Sequence, residues 1–254
     1  MLLAVDVGNT QTVIGLYTDA VLTDHWRIAT VAERTSDELA LVVQQFLGFH
    51  GFSFEDSITG VAIASGVPRV TAALREMVER YFGFAPLVIE PGVRSGMPIL
   101  YDNPKEVGAD RIANAVGAYD LYGGPSVVVD FGTANTIDAI SAKGEYLGGA
   151  IFPGIEIAMD ALFGAAAALR RVELVPPKNV IGKSTMESIQ SGAVYGFSGQ
   201  VDALVDRFVA ELGESTVIAT GGLADLLIPY SRTIKHHEPW LTLHGLRIVY
   251  ERNR

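Results

Sequence analysis

No cysteine occurs in the 254 residues. That excludes a disulfide framework, a zinc–thiolate site and a thiol nucleophile, and it is compatible with a reducing compartment. Basic residues are also scarce, with 19 Lys and Arg against 29 Asp and Glu and a formal net charge of −10. A general binder of nucleic acid or of anionic membrane needs a basic surface, so neither partner is expected. Several familiar nucleotide and hydrolase signatures are missing too. Gly182-Lys183-Ser184 ends like a P-loop, but the earlier glycine would fall at Pro177. There is no G-x-G-x-x-G turn and no G-x-S-x-G elbow. The five histidines have no ligand spacing. The longest apolar stretch, 148–169, is broken by Pro153-Gly154, Glu156 and Asp160, so it reads as a buried loop and helix and not as a membrane span. The N-terminus has no basic region ahead of its apolar run, and no signal peptide is expected.

What is present is organised around Met1–Leu16. Leu2–Val5 is a short apolar run, followed by Asp6-Val7-Gly8-Asn9-Thr10 and a second β-rich run over Thr12–Tyr17. Strand, polar turn, strand is a hairpin pattern. The turn brings together a carboxylate, a glycine, an amide and hydroxyls, and can offer backbone N–H groups to a phosphate. The pattern recurs at Ser126–Ile137, where Asp130, Gly132 and Thr136 stand at one common offset from Asp6, Gly8 and Thr12. A lone D-x-G turn is ordinary punctuation between strands. Two in register near half the chain length indicate an internal duplication, with halves at 1–123 and 124–254 and Gly123-Gly124-Pro125 as the boundary.

The rest of the first half reads as a strand over 22–29, a helix over 36–47 capped by Ser36, a strand over 59–64, a helix over 68–81 and a short strand over 87–89. Asn103-Pro104-Lys105-Glu106 marks a helix start, although Gly108 weakens that turn and the helix can begin there instead. The second half reads as strands over 127–131, 135–141 and 145–151, a helix over 155–171, a long helix over 185–212 and a strand over 216–219. Gly192, Gly196 and Gly199 cost that long helix about 1 kcal/mol each relative to Ala, which suggests close packing of a helix or subunit. This is an α/β layer architecture of two similar domains, each a mixed sheet flanked by helices.

The surviving chemistry is a nucleotide site without a P-loop. Two D-x-G turns would face each other across a cleft, and Thr220-Gly221-Gly222 would give a base or ribose a close approach to bare backbone. Such paired hairpin turns resemble the actin, hexokinase and Hsp70 superfamily, a duplicated actin-like (ribonuclease H-like) ATPase fold. A phosphoryl acceptor needs a base, and Asp110, at a helix start beside Arg111, is the candidate. An isolated Asp-Arg pair on its own reads as a helix-surface ion pair.

Asp6-Val-Gly-Asn-Thr10, Tyr101-Asp-Asn-Pro104, Gly108-Ala-Asp-Arg111, Asp130-Phe-Gly-Thr133, Gly148-Gly-Ala-Ile-Phe-Pro-Gly154 and Gly182-Lys-Ser-Thr185 together resemble the type III pantothenate kinases over essentially the whole chain. Ser184 stands where many members have Asn. The resemblance implies ATP-dependent phosphorylation of pantothenate, a homodimer and a cytoplasmic location. It implies ATP contacts from Asp6, Val7, Gly8, Asn9, Thr10, Gln11, Thr12 and Val13, and from Thr133. Tyr101, Gly108, Ala109, Asp110 and Arg111 would bind pantothenate, with Asp110 as general base and Thr185 completing the pocket across the dimer. Asp130 would hold a monovalent cation, K⁺ or NH₄⁺, and Asp6 is placed for the Mg²⁺ that accompanies ATP. The competing readings are another small-molecule kinase of the same fold, or a non-catalytic ATP-binding regulator.

Overall fold

Residues 1–52 and 57–254 are described in the computed structural model. The first three strands are β1 (Leu2–Val7), β2 (Gln11–Thr18) and β3 (Val21–Ala29), followed by helix α1 (Ser36–Gly48). Strand β4 (Gly60–Ser65), helix α2 (Pro68–Tyr81) and the short β5 (Leu87–Val88) come next. A 3₁₀ turn over Pro104–Glu106 precedes α3 (Ala109–Tyr122). The order then repeats with β6 (Ser126–Phe131), β7 (Ala134–Ile140), β8 (Tyr146–Pro153), α4 (Ile155–Ala165), α5 (Thr185–Leu212) and β9 (Thr216–Thr220). The chain closes with α6 (Ala224–Leu227), β10 (His236–His237) and α7 (Leu241–Arg252).

The two five-stranded sheets have the same plan: β3-β2-β1-β4-β5 in one, β8-β7-β6-β9-β10 in the other. In each, the first strand pairs antiparallel with the second and parallel with the fourth. Burial repeats as well. β1 and β6 read B-B-B-B-i-B, and β2 and β7 both begin e-B-i-B-B-B-B, where B is buried, i half-buried and e exposed. Even the irregularity recurs, with a register shift between Leu16 and Tyr17 on β2 and between Ala139 and Ile140 on β7. These shared features bear out the duplicated α/β architecture.

Each half packs its helices against one sheet face. In the first, Leu3, Val5, Val7, Ile14 and Leu16 join Leu39, Val43 and Leu47 of α1 and Leu74 and Met77 of α2. The opposite face of that sheet carries small residues, and α7 lies on it. A Cβ at Gly15 would come within 2.7 Å of Leu243, and a Cβ at Gly60 would collide with the Tyr250 ring. Helix–sheet contact this close depends on glycine at both positions. In the second half, Val127, Val129, Phe131 and Ile137 pack with Ala193, Phe197, Val201 and Val205 of α5.

This packing divides the chain differently from the expected break at 123/124. One compact unit is Met1–Gly117 with Leu241–Arg254, and the other is Ala118–Trp240. The last helix returns to the first unit because its Leu241, Leu246 and Val249 are buried there, each such burial being worth roughly 1.5–3 kcal/mol. Within that unit α3 and α7 meet through glycines: a Cβ at Gly245 would fall 1.8 Å from the Ala113 carbonyl oxygen.

Local differences have local causes. Helix α1 is capped by Thr35 and not by Ser36: the Thr35 hydroxyl accepts from Glu38 N–H and the Glu38 carboxylate accepts from Thr35 N–H, a reciprocal capping box. Asn103 caps only a single 3₁₀ turn, and the extended Val107, followed by Gly108, separates it from α3. α4 stops at Ala165, just past Gly164, instead of reaching 171. The β10 strand was not expected at all. The α5 glycines 192, 196 and 199 meet nothing within 4 Å among the described residues, so no described helix packs on them.

Candidate nucleotide and substrate site

In the first unit, Asp6 and Val7 end β1, and Gly8, Asn9 and Thr10 form the turn into Gln11, Thr12 and Val13 of β2. Val7 and Thr12 are buried, at 2% and 3% exposed. Gly8 through Gln11 are exposed. The turn's own carbonyls are tied inward. Gly8 N–H donates to Gln11 O (3.0 Å), Thr30 N–H to Thr10 O (2.9 Å) and the Thr30 hydroxyl to Gly8 O (2.8 Å). Because Thr30 has spent its one hydroxyl proton on Gly8, the Thr12 hydroxyl must donate in their 2.8 Å contact. Thr30, just beyond β3, was not singled out in the sequence, yet it is the clamp on this turn.

Asp110 is exposed in the first turn of α3, and its Oδ1 accepts from Arg111 N–H at 2.9 Å. A carboxylate is stabilised there by the unpaired N–H groups of the helix start. Gly108 gives it room, since a Cβ at 108 would lie 2.4 Å from Asp110 Oδ1. Arg111 is 6% exposed. Tyr101 is half-buried in the preceding loop. The upstream part of that loop is fastened by α7 and the residue beyond it. Arg252 donates to Ser95 O (2.5 Å), while Asn253 accepts from Arg94 N–H (3.2 Å) and donates to Arg94 O (2.9 Å).

In the second unit, Asp130 ends the matching strand and Gly132-Thr133 form the turn. Register corrects the expected correspondence. Val7 pairs with Thr12 and Asp6 with Val13, whereas Phe131 pairs with Asn135 and Asp130 with Thr136. The second turn is therefore one residue shorter. The counterpart of Thr12 is Asn135, and Thr136 matches Val13. Thr133 takes the place of Thr10, since its carbonyl accepts from Gly154 N–H (3.1 Å) as Thr10 accepts from Thr30. Two glycines crowd this turn. A Cβ at Gly154 would lie 2.3 Å from Gly132 O, and one at Gly221 (φ +96°) would lie 2.5 Å from Asp130 Oδ1. The Thr220-Gly221-Gly222 turn thus abuts Asp130. Beside it, on the sheet, the buried Asp138 accepts from Tyr146 (2.7 Å) and Thr136 (3.2 Å).

Gly182-Lys183-Ser184 is a helix cap and no P-loop. Ser184 accepts from Glu187 N–H (3.2 Å), and the Glu187 carboxylate accepts from Lys183 N–H (2.8 Å). Thr185 is the exposed first residue of α5.

One β-β-β-α-β-α-β unit and a second that repeats it with an extra helix before its fourth strand, each with a D-x-G turn at its first hairpin, define the actin-like fold class. Solved structures share the fold. A ROK hexokinase from Thermus thermophilus aligns with a TM-score of 0.54 at 13% identity, covering 99% of this chain and 98% of that one. Component A of (R)-2-hydroxyglutaryl-CoA dehydratase from Acidaminococcus fermentans aligns with a TM-score of 0.59 at 14% identity, covering 98% and 96%.

Sequence narrows the class. The family profile described as type III pantothenate kinase matches residues 2–207. The type III pantothenate kinase of Streptomyces griseus subsp. griseus is 57% identical over 261 aligned positions, covering 100% of this chain and 98% of that protein. That of Moorella thermoacetica is 55% identical over 254 positions, with 100% of each covered. The chain belongs to the type III pantothenate kinase family.

Proposed function

We propose that the protein transfers the terminal phosphoryl group of ATP to the primary hydroxyl of pantothenate, yielding 4'-phosphopantothenate, the first committed step towards coenzyme A. The observation that carries this reading is identity above one half, over the full length, with kinases of that name.

Phosphoryl transfer is largely positioning and charge neutralisation. The clamped turn 6–13 supplies the positioning: with its carbonyls drawn inward, its exposed backbone is pre-set to receive the ATP phosphates, and Thr133 adds a contact from the equivalent turn. Asp110 is the general base that takes the proton of the pantothenate hydroxyl. Tyr101, Gly108, Ala109 and Arg111 hold the acceptor around it.

Two cations fit the residues present. Among the described residues no cluster of three or more His, Cys, Asp or Glu could cage a metal. Mg²⁺ suits that setting, because it commonly arrives with phosphates and waters and needs only one or two carboxylates, here Asp6. Asp130 lies directly against the Thr220-Gly221-Gly222 turn, where a Cβ at 221 would come within 2.5 Å of its Oδ1. K⁺ or NH₄⁺ held by Asp130 would supply positive charge against the phosphates. The working unit is a homodimer, with Thr185 completing the pantothenate pocket of the partner subunit. In support, eight of the fourteen exposed large hydrophobic side chains among the described residues lie between Leu147 and Met186, including Ile151 at 63% and Ile181 at 82% exposed. No described helix is long and apolar enough to cross a membrane, and we assign the enzyme to the cytoplasm.

The test is ATP consumption with Mg²⁺, with and without pantothenate and in potassium against sodium. Turnover requiring both pantothenate and potassium is expected. Turnover with other small alcohols but not pantothenate would move the assignment to another kinase, and ATP binding indifferent to every acceptor would make the chain a regulator. Asp110→Asn should lower kcat by about 10²–10⁴-fold with little change in ATP affinity, the usual share of a general base. Near-normal turnover would remove Asp110 from the mechanism.

A further inference from the structure

At the end of the first sheet opposite the Asp6 turn lies a pocket of about 530 Å³. Its walls are the starts of β1 and β4, the turn from β2 to β3, and the outer part of α7. β1 has six residues, so roughly 20 Å of strand separates this pocket from the Asp6 turn.

Arg247 lines the pocket and is 7% exposed. One edge of its guanidinium is satisfied, with Nη1 donating to Glu251 Oε1 at 2.6 Å. Its Nε is fully buried and has no hydrogen-bond partner among the described residues. A buried, charged donor left unpaired is costly and rare in folded proteins. The ring beneath it offers no counter-charge. Tyr17 lies 6.0 Å from the Arg247 guanidinium carbon, and burial pushes its hydroxyl up to about 12, so the phenol stays neutral. The remaining wall is built and not incidental. Tyr250 is seated on bare Gly60, its hydroxyl donates to Thr59 O (3.2 Å), and the Arg254 guanidinium sits 6.0 Å from its ring centre. The acidic groups lining the pocket are Asp19 and Glu251, and Glu251 is engaged with Arg247.

We propose that this pocket binds the oxyanion group of a small organic molecule, a carboxylate or a phosphate monoester, through Arg247 and Arg254, with Tyr250 against its body. The volume is in the usual range for small-molecule sites, about 300–1,000 Å³. Planar guanidinium groups match both oxyanions in forked geometry. The site lies a strand's length from the reacting turn, so binding is the readout.

The experiment is calorimetric titration of inorganic phosphate, glucose 6-phosphate and citrate into the full-length protein. A non-hydrolysable ATP analogue and pantothenate are kept saturating, so that the reaction site is already filled. At least one of the three anions should bind at one site per chain. Binding by the phosphates alone, or by citrate alone, assigns the ligand class. Arg254→Ala, at an exposed position, and Arg247→Lys, which keeps the charge but loses the planar guanidinium fork, should each weaken binding by about tenfold or more, equivalent to one charge-assisted hydrogen bond. Pantothenate turnover without added anion should be unchanged in both. Absence of heat from all three anions, or equal affinity in wild type and both variants, would overturn the proposal.

Discussion

The Asp6 turn and the Asp130 turn are the same device, finished in two ways. Strand order, burial and the position of the bulge are shared. In the first unit a hydroxyl clamp, Thr30 with Thr12, locks the turn from behind. In the second the equivalent of Thr30 is Gly154, the equivalent of Thr12 is Asn135, and the turn is one residue shorter with Gly221 pressed against Asp130. Duplication supplied two hairpins; side-chain chemistry then separated them into a longer turn clamped by hydroxyls and a tighter one in which a carboxylate lies against a glycine turn.

The largest expected effect breaks the comparison at its equivalent acids. Asp6→Asn should reduce kcat in any monovalent cation, by about 10²–10³-fold if it acts like other single electrostatic contacts to a transition state. Asp130→Ala should instead abolish the response to potassium. Activity measured across potassium, ammonium and sodium separates the two. An unchanged potassium response in Asp130→Ala would rule out its cation role, and identical profiles for both variants would remove the division of labour.

Next in size is Gly154→Ala. Its Cβ would meet the carbonyl oxygens of Gly132 and Thr133 at 2.3 and 2.4 Å, and both belong to backbone that cannot swing aside. Overpacking of this kind costs about 1–3 kcal/mol. Chemical denaturation should show that loss. The same change at Gly164, where nothing lies within 4 Å, should show none. Equal stability of the two variants would mean the close approach at Gly154 is not a constraint.

Much of this was legible in the sequence because apolar runs and Asp/Gly turns are local signals. The helix Pro68–Tyr81 and the helix Thr185–Leu212 have the expected ends, the first marked by proline in its first turn. The slip between Thr12 and Thr136 was not legible. A constant offset conceals a one-residue shortening, and only strand pairing reveals that Asn135 carries the matching burial. Nor was the return of α7 to the first unit, which depends on Gly15 and Gly60 making a shallow seat far away in sequence. The D-x-G turns were readable as hairpin turns and Asp110 as the start of a helix, but Thr30 was not, because a threonine after a strand has no distinguishing neighbours.

The units should also differ in acid. In the second, Asp202 is 8% exposed. Burial alone would raise its carboxyl pKa, but donors from Ser231, Arg232 and Thr233 outweigh that and hold it below the ordinary value of 3.8. A group depressed on folding contributes stability above its unfolded value that is lost as pH falls through the folded one. Asp202→Asn should therefore lower stability at neutral pH by roughly 1–2 kcal/mol, in the range for hydrogen bonds to a charged group. It should also flatten the acid limb below about pH 4, where this carboxylate titrates. Asp37, paired with Arg80 at the surface of the first unit with both side chains more than half exposed, should shift stability by less than about 0.5 kcal/mol on removal. Hydrogen exchange resolved by unit would read both, and an Asp202→Asn protein with an unaltered acid limb would contradict the assignment.

The smallest effect is the most direct test of why the two turns differ. Thr30→Val keeps the shape and removes the hydroxyl that joins Gly8 O to Thr12. The stability cost should be about 1 kcal/mol, one neutral hydrogen bond with partial rehydration at this exposed edge. The kinetic cost should fall on ATP, as a raised KM with kcat nearly kept, because a loosened turn must be ordered by the nucleotide when it binds. Thr30→Ser, which keeps the hydroxyl, should restore both. A Thr30→Val enzyme with normal ATP KM would mean that the backbone pairing of residue 30 with Thr10 is sufficient. The first turn would then be held as Gly154 holds the second, by main chain alone.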